Sequence, residues 1–496
     1  MAIMLAGCVS AFRPPSTTST SRPSFESVAA DLKPYYAQKL VWKSCSGGFE
    51  CTTAIAPMEW SKPGGKRIEL ALIRHRATGE RLGSLLFNPG GPGASGYDFL
   101  RDAMDAAVSA DLQSRFDIVG FDPRGVNRST AVQCYRNPDD LTRFLYGVLP
   151  GTQGSDEWLA AAGKQYAAFA AACQRSTGPL LGYVDTESAA RDLDMMRAAL
   201  GDRKLNYLGY SYGTLLGATY AGLFPKRTGR LVLDGALDPT TTQEELLLRQ
   251  AQGFENAFRA YLADCLQRDG CPFRGKTVDQ SAELVRQLLA QVQQQPIRNT
   301  DGRELGASTL FTAIIYPLYS PQTWSYEDSL FADVRKGSAR VAFQLADQYN
   351  DRQAGGGYAS NSTEAFIAIN CLGYPVEKDP AALRAQSQRL VQAAPTFGLQ
   401  LSYDLSCVNW PYPPTRQPGP IRAAGSAPIV VVGTTGDPAT PYRWAQGLAG
   451  QLENGRLLTY RGQGHTGYNK GNDCVDTAVD DFFVKGTVPK AGLVCG

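Results

Sequence analysis

Apolar positions follow two patterns along this chain, and the change between them indicates how it is organised. In the first half and again after residue 420, short apolar runs typical of strands alternate with stretches of helical spacing such as 188–200. Such alternation predicts an α/β protein with a mostly parallel sheet flanked by helices. The predicted strands cover 67–74, 83–87, 116–121, 205–209, 230–234, 427–432 and 455–460.

A long segment without strands interrupts this alternation. Residues 241–420 show helical periodicity broken by Gly-rich and aromatic loops, and they end in a Pro-rich stretch. Because strands precede and follow the segment, we expect one sheet with a large inserted helical cap. Helices are predicted at 242–268, 280–294 and 326–348. The predicted organisation is a leader and flexible tether over 1–40, a first core part over 41–240, the cap over 241–420 and a second core part over 421–496.

Composition excludes several classes of function. The 496 residues include 49 Lys and Arg against 47 Asp and Glu, a net charge of +2, so neither a nucleic-acid-binding surface nor a polybasic membrane patch is expected. The 2 histidines are too few for a histidine-rich metal site, and neither a metal nor a cofactor is expected. No apolar stretch approaches the roughly 18 residues of a membrane span.

The first residues indicate export. Leu5-Ala6-Gly7-Cys8 resembles a bacterial lipobox, in which a signal peptide is cleaved before a cysteine that then carries lipid. No Lys or Arg precedes Cys8 and the apolar part is short, so either the natural start lies upstream or the match is accidental. The lipobox predicts a cell-envelope lipoprotein or a secreted protein, with a Ser-, Thr- and Pro-rich tether over 9–27.

Ten further cysteines are spread along the chain without C-x-x-C pairs, which argues against zinc knuckles and redox motifs. An even number of dispersed cysteines in an exported chain predicts disulfides, whereas buried free thiols would fit a cytosolic enzyme. The sequence leaves the connectivity open, and pairing of sequence neighbours is the simplest choice. That choice gives Cys45–Cys51, Cys134–Cys173, Cys265–Cys271, Cys371–Cys407 and Cys474–Cys495.

A G-x-S-x-G motif is the strongest candidate for chemistry. Gly209-Tyr-Ser211-Tyr-Gly213 follows an apolar strand and directly precedes a predicted helix. This context is that of a nucleophile elbow, a sharp turn that lifts the serine hydroxyl above the sheet edge. Ser211 is therefore the predicted nucleophile, and an incidental serine in a Gly-rich turn is the alternative.

A serine nucleophile needs a base, and the base needs an orienting carboxylate. His465 lies in a loop after the last predicted strand, where it can reach the elbow, while His75 sits between two arginines on an early strand. We therefore predict His465 as the base. Asp437 directly follows the preceding strand and is the predicted carboxylate. Its alternative role is that of a turn residue before Pro438.

Acyl transfer also requires backbone donors for the oxyanion. The N–H of Tyr212, directly after the nucleophile, is one candidate. The glycine-rich loop over 88–93 follows an early strand and is placed to supply the other at Gly91. A tight turn or a phosphate-binding nest is the alternative, but the G-x-x-x-x-G-K-[ST] pattern does not occur.

Several motifs together resemble one family of peptidases. They are Asn88-Pro-Gly-Gly-Pro-Gly93, Phe121-Asp-Pro-Arg-Gly-Val-Asn-Arg-Ser129, Asp192–Gly201, Leu205–Thr214, Gly433–Pro441 and Gly464-His465-Thr466. From about residue 40 onward the chain is similar to exported serine peptidases of the prolyl and tripeptidyl aminopeptidase kind, which have a characteristic C-terminal segment. The resemblance implies an α/β-hydrolase fold, the triad and oxyanion donors named above, and release of residues or short peptides from a free N-terminus.

A free substrate N-terminus should meet carboxylates in the cap. The family tends to carry an acidic residue shortly after a cap cysteine, but Cys371 is followed here by Leu372 and Gly373. Glu364 and Asp404 are the candidates that remain for this role.

Three functions are therefore weighed. The leading hypothesis is an exported serine aminopeptidase whose partners are short peptides, with membrane contact only through a lipid anchor. The second is an esterase or amidase on a small acyl substrate, since this fold hosts many acyl substrates. The third is a binding lipoprotein without catalysis, which the complete set of triad residues argues against.

Overall fold

A computed structural model describes residues 18–496, so the predicted lipid-carrying Cys8 lies outside the described residues. The described chain forms an eleven-stranded sheet and a separate two-stranded ribbon. The strands are β1 (Thr18–Thr20), β2 (Val41–Ser44), β3 (Glu50–Pro57), β4 (Arg67–His75), β5 (Gly83–Asn88), β6 (Phe116–Phe121), β7 (Leu205–Tyr210), β8 (Thr228–Asp234), β9 (Ile297–Arg298), β10 (Glu304–Leu305), β11 (Ile429–Gly436), β12 (Gly455–Gln463) and β13 (Leu493–Cys495).

The large sheet is antiparallel at one end and parallel through the rest. Its order is β1-β2-β3-β4-β6-β5-β7-β8-β11-β12-β13, with antiparallel pairs as far as β6 and parallel pairs beyond it. Because parallel strands end at the same edge of a sheet, the loops after β5, β7, β8, β11 and β12 lie side by side, where such sheets bind ligands. The mostly parallel sheet predicted from the sequence is confirmed.

Helices cover both faces of the sheet. In the described range they are α1 (Lys33–Tyr36), α2 (Gly96–Ala107), α3 (Ala110–Arg115), α4 (Pro138–Tyr146), α5 (Asp156–Thr177), α6 (Thr186–Leu200), α7 (Tyr212–Leu223), α8 (Gln243–Cys265), α9 (Val278–Gln294), α10 (Ala307–Leu318), α11 (Trp324–Val334), α12 (Arg340–Tyr349), α13 (Ser362–Gly373), α14 (Pro380–Ala393), α15 (Tyr442–Gln451) and α16 (Asp473–Lys485). Short 3-10 helices lie at Gly178–Gly182, Pro225–Arg227 and Pro321–Thr323. Over 18–496, none of the helices combines the length and apolar character needed to cross a membrane.

Two apolar layers join these helices to the sheet. Leu86 of β5 packs in the layer that includes α6, α7 and α15, and its neighbour Leu85 packs in the layer that includes α2, α3 and α16. Successive residues reach opposite layers because side chains alternate across a strand. The parallel strands therefore have few polar side chains, which is why they were recognisable as apolar runs.

Local sequence signals set the ends of the helix before the nucleophile strand. The Asp185 carboxylate accepts a hydrogen bond from the Ser188 N–H and caps α6, and Gly201 ends it with a left-handed backbone at φ 92°. The helix predicted at 188–200 therefore exists and begins two residues earlier, at Thr186.

The cap helices α8 to α12 surround an apolar core of their own, which contains Phe258, Leu310 and Phe331, whereas α13 packs in the layer that includes α6 and α7. The single helix predicted over 326–348 is wrong, because α11 ends at Val334 and α12 begins at Arg340. Between them Gly337 has φ +78°, a backbone conformation that continues no right-handed helix.

Two helices outside the predicted cap range also pack against the cap. Tyr146 of α4 lies in the cap core, and its hydroxyl donates to the Ala346 carbonyl at 3.3 Å. Ala162 of α5 packs with Leu383 and Leu405 of the cap. The segment between β6 and α6, assigned from the sequence to the first core part, thus contributes to the cap. Its helical spacing gave no sign of which layer it joins.

Five disulfides connect neighbouring cysteines of the described chain. They are Cys45–Cys51, Cys134–Cys173, Cys265–Cys271, Cys371–Cys407 and Cys474–Cys495. Each of these cysteines is therefore bonded to its neighbour in the sequence, which is the simplest connectivity that the sequence allowed.

Candidate active site

Ser211 occupies a sharp turn between β7 and α7. Its backbone has φ 54° and ψ −125°, and its N–H donates to the Asp234 carbonyl at 2.9 Å. A Cβ on Gly209 would lie 2.5 Å from the Gly213 carbonyl oxygen, so the two glycines of the motif allow the strand and helix to approach closely. The side chain of Ser211 lines a large cavity. This is the geometry of a nucleophile elbow.

His465 and Asp437 form a close pair in the loops after β12 and β11. Nδ1 of His465 lies 2.9 Å from both carboxylate oxygens of Asp437. The carboxylate is buried, and it also accepts the N–H groups of Ala439 at 2.9 Å and Thr440 at 2.8 Å. An Nδ1–H donated to Asp437 leaves Nε2 as the free base position of the ring. His465 lines the same cavity as Ser211.

The glycine-rich loop after β5 lies against the elbow. A Cβ on Gly90 would come within 2.8 Å of the Ser211 Cβ, and the Gly90 N–H donates to the Asn88 side chain at 3.0 Å. Gly91 and Tyr212 both line the cavity beside Ser211. Tyr212 is the first residue of α7, so its N–H has no carbonyl partner within the helix. The Tyr212 N–H is therefore available to a substrate oxygen, and Gly91 lies near it on the same cavity wall.

Asp234 is a buried residue of the site that the sequence analysis missed. It ends β8, and its carboxylate accepts the N–H groups of Gly467 at 3.0 Å and Tyr468 at 2.8 Å, just beyond His465. Burial raises the pKa of Asp234 to about 6. The available signal was an acidic residue at the end of an apolar strand, on the sheet edge that carries the triad candidates.

Two smaller features of the site were also not predicted. The Thr440 hydroxyl donates to Asp437 Oδ2 at 3.0 Å, and its place three residues after Asp437 was a usable turn signal. Tyr319 of the cap packs edge-on against the His465 ring, with centroids 5.5 Å apart. Nothing in the local sequence links Tyr319 to the site, because the contact exists only in the folded chain.

The cavity above these residues has a volume of about 1270 Å³, beyond the roughly 300–1,000 Å³ of usual small-molecule sites. Several aromatic and amide side chains lie in the parts of its wall that the cap and α5 supply. They include Trp158, Tyr166, Gln165, Gln243, Gln250, Gln293, Tyr319 and Tyr349. Amide side chains can donate to and accept from a peptide backbone, and the volume accommodates several residues.

The two candidates for binding a substrate N-terminus differ in position. Asp404 lines the cavity, where its carboxylate accepts hydrogen bonds from Gln243 at 2.7 Å and from the Ser406 hydroxyl at 2.6 Å. Glu364 is buried, and its Oε1 accepts the N–H groups of Cys134 and Tyr135 at 2.9 Å. Burial raises the pKa of Glu364 above its ordinary value. Glu364 is absent from the cavity wall and its carboxylate binds backbone amides, so Asp404 is the better placed of the two candidates.

The other histidine lies away from the cavity. His75 ends β4, and its ring packs against Phe49 with centroids 5.7 Å apart. Across residues 18–496, no group of three or more His, Cys, Asp or Glu side chains is arranged to hold a metal ion.

Comparison with known proteins gives a consistent set of relatives. A family model described as TAP-like protein matches residues 394–495. Serine protease Hip1 of Mycobacterium tuberculosis is 38% identical over 486 residues, covering 93% of this chain and 92% of that protein. Carboxylesterase B of the same species is 39% identical over 509 residues, covering 99% and 96%. Tripeptidyl aminopeptidase of Streptomyces lividans is 30% identical over 474 residues, covering 92% and 86%.

Proposed function

The chain belongs to the α/β-hydrolase serine peptidases that include tripeptidyl aminopeptidase, and on that premise we propose that it releases single residues or short peptides from the free N-termini of oligopeptides. It is a serine hydrolase. Five disulfides are typical of chains that fold in an oxidising compartment, which indicates that the protein is exported.

In the proposed reaction Ser211 Oγ attacks the scissile carbonyl while His465 Nε2 takes the hydroxyl proton. The oxyanion accepts hydrogen bonds from the N–H groups of Gly91 and Tyr212. His465 then returns the proton to the leaving amine, and the N-terminal fragment stays bound to Ser211 as an ester. Water activated by the same histidine releases that fragment. Asp437 holds the ring in the required tautomer throughout.

The observation that carries this proposal is the pair formed by His465 and Asp437 at 2.9 Å, whose histidine lines the same cavity as Ser211. A carboxylate on Nδ1 makes the imidazole a stronger base and stabilises its charged form. The strained backbone of Ser211 supports the same role, because such a conformation persists where the surrounding structure imposes it.

Asp404 is the residue that we propose for the substrate α-ammonium group. In the described residues its hydrogen-bond partners, Gln243 and Ser406, are neutral, so its negative charge is not already compensated by a cation. By contrast, Asp98 and Asp102 on the same cavity wall are paired with Arg101. A charged donor bound by a carboxylate inside a cavity forms a strong hydrogen bond.

The test is a panel of chromogenic di- and tripeptide anilides, each with a free or an acetylated N-terminus, beside short-chain esters. We expect cleavage of the free-amine peptides and loss of that activity in Ser211→Ala. A suitable control is Ser325→Ala, since Ser325 lies on cap helix α11 and is absent from the cavity wall. Equal cleavage of acetylated peptides would contradict the proposed aminopeptidase activity. Full activity in Ser211→Ala would contradict the role of Ser211 as the nucleophile.

The second candidate function is an esterase, which a relative named carboxylesterase B at 39% identity favours. Turnover of esters without turnover of any peptide would support it. The third, a binding lipoprotein without catalysis, predicts no turnover of either class and equal peptide binding by wild type and Ser211→Ala.

We further propose that the exported protein is anchored to a membrane through lipid on Cys8, and that no nucleic acid is a partner. The Leu5-Ala6-Gly7-Cys8 motif supports the lipid anchor. The near-neutral net charge argues against nucleic acid as a partner. Metabolic labelling with an alkyne fatty acid should mark the wild-type chain and not Cys8→Ser. Equal labelling of both, or of neither, would contradict the anchor and leave a secreted protein.

A further inference from the structure

The loop that carries Asp437 is held by the first cap helix. Gly253, in the middle of α8, packs so closely on this loop that a Cβ there would collide with the Pro438 carbonyl oxygen. The Gln250 side chain donates to the Ala439 carbonyl at 2.9 Å. Ala439 itself is buried within the apolar core of the cap. The position of Asp437 therefore depends on α8.

The loop that carries His465 is held by a second cap segment, the turn after α10. The His465 N–H donates to the Tyr319 carbonyl at 2.8 Å, and the Tyr319 ring stands at 81° to the imidazole. The preceding Gly464 has φ +101°, and a Cβ there would lie 3.0 Å from Pro321 Cδ. Backbone and side chain of Tyr319 thus contact the histidine together.

The nucleophile is held differently. The Ser211 N–H is bound by the carbonyl of Asp234 in β8, and a Cβ on Gly213 would lie 2.8 Å from both oxygens of Asn88 in β5. These contacts all come from the sheet. The serine is therefore fixed by the core, whereas both loops of the acid–base pair lie between core and cap.

We propose that the cap assembles the acid–base half of the triad, with Gly253 and Tyr319 as positioning residues for Asp437 and His465. The inference rests on the proposed catalytic roles of these two residues. It implies that the cap stays docked during turnover, because lifting it would break the bond from His465 to Tyr319. Substrates must then reach Ser211 through the mouth of the cavity, which favours short peptides.

The test compares Gly253→Ala, Tyr319→Leu and Tyr319→Phe with Gly163→Ala, all in the full chain. Gly163 lies within α5, and a Cβ there meets nothing within 4 Å, so it controls for the added methyl group. The measurements are kcat and KM on a free-amine tripeptide anilide, the melting temperature, and the rate of labelling by a fluorophosphonate. Labelling forms a bond between Ser211 Oγ and phosphorus, with loss of fluoride, and it needs the base but no peptide.

We expect kcat and the labelling rate to fall about 10- to 100-fold in Gly253→Ala and Tyr319→Leu, because small displacements of catalytic groups have effects of this size. The fall in kcat should exceed any change in KM. Tyr319→Phe retains the ring beside His465, so its labelling rate should lie closer to that of the wild type than the rate of Tyr319→Leu, and Gly163→Ala should behave as wild type. Wild-type labelling of folded Gly253→Ala and Tyr319→Leu would overturn the inference, as would a change in KM alone.

If Gly253→Ala does not fold, the labelling rates of Tyr319→Leu and Tyr319→Phe still test whether the cap positions His465. Normal labelling of the wild type without cleavage of any peptide would count against the proposed peptidase function only.

Discussion

Asp404 and Asp102 line the same cavity and differ in their partners, which allows a matched test of amine recognition. Asp102 is paired with Arg101 at 2.6 Å, whereas Asp404 has only Gln243 and Ser406 as partners in the described residues. We predict that Asp404→Asn lowers kcat/KM on free-amine peptides by about 10- to 100-fold, the range for a hydrogen bond to a charged group. Acetylated peptides should be unaffected, and steady-state kinetics measures both.

Asp102→Asn is the control and should leave the preference for free over acetylated peptides unchanged. Asp351 also lines the cavity and accepts from Ser360 and Ser362, so Asp351→Asn belongs in the same series. A preference that survives in Asp404→Asn but is lost in Asp351→Asn would move the amine site to Asp351.

Asp234 makes stability depend on pH. Its pKa is raised by burial from 3.8 to about 6, so the folded state binds its proton more tightly than the unfolded state. Protonated Asp234 makes its full contribution to the unfolding free energy below its pKa in the unfolded chain, 3.8. That contribution is lost as the pH rises through its pKa in the folded chain, about 6. We predict that the unfolding free energy of the wild type falls relative to Asp234→Asn between about pH 4 and pH 7, by up to about 3 kcal/mol.

Urea unfolding of both proteins across this range measures the difference, and carboxyl groups common to both cancel. A constant difference at every pH would show that Asp234 does not titrate there.

A buried ion pair joins α6 to the loop after β6. Arg124 and Asp192 are almost fully buried, and the guanidinium binds both carboxylate oxygens at 2.7 Å. Arg124 also donates to the carbonyls of Pro57, Met58 and Tyr183. We predict that Asp192→Asn destabilises the protein by about 3–5 kcal/mol, because it leaves a buried charge without its partner.

The matched control lies on the same helix. Glu187 pairs with Arg191 at 2.7 Å, and its side chain is 58% exposed, so Glu187→Gln should cost less than about 1 kcal/mol. Chemical denaturation of both variants gives the comparison. If Asp192→Asn and Glu187→Gln lowered the unfolding free energy equally, burial of the pair of Arg124 and Asp192 would not increase the cost of losing its carboxylate.

The disulfides act on the whole molecule by restricting the unfolded chain. Cys371–Cys407 closes a separation of 36 residues and links α13 to the segment that carries Asp404, whereas Cys265–Cys271 closes only 6. Loop-closure entropy predicts that replacing Cys371 and Cys407 by serines lowers the unfolding free energy by about 4 kcal/mol. The same change at Cys265 and Cys271 should lower it by about 2 kcal/mol. Denaturation of the two double variants should show this order.

Removing Cys371–Cys407 should also raise KM, because Cys407 and Asp404 share the cavity wall. The reverse order of stability, or equal KM in the two double variants, would contradict this role of the Cys371–Cys407 bond.

Much of the site could be predicted because its signals are local. Each predicted site residue lies in a loop or turn just after an apolar strand. These residues are Gly91, Ser211, Asp437 and His465. Parallel strands of one sheet end at one edge, so residues that follow those strands converge whatever the rest of the chain does. Apolar runs predicted these strands because both faces of the sheet are covered.

The sequence by itself determined the α/β alternation and the order of the candidate triad, but it left the connectivity of the dispersed cysteines open. Only the tertiary structure decided that Glu364 faces backbone amides, that α4 and α5 join the cap, and that Tyr319 contacts His465. The reason is physical. Helical spacing shows which face of a helix is buried, but the partner of that face is chosen by packing between segments far apart in the chain.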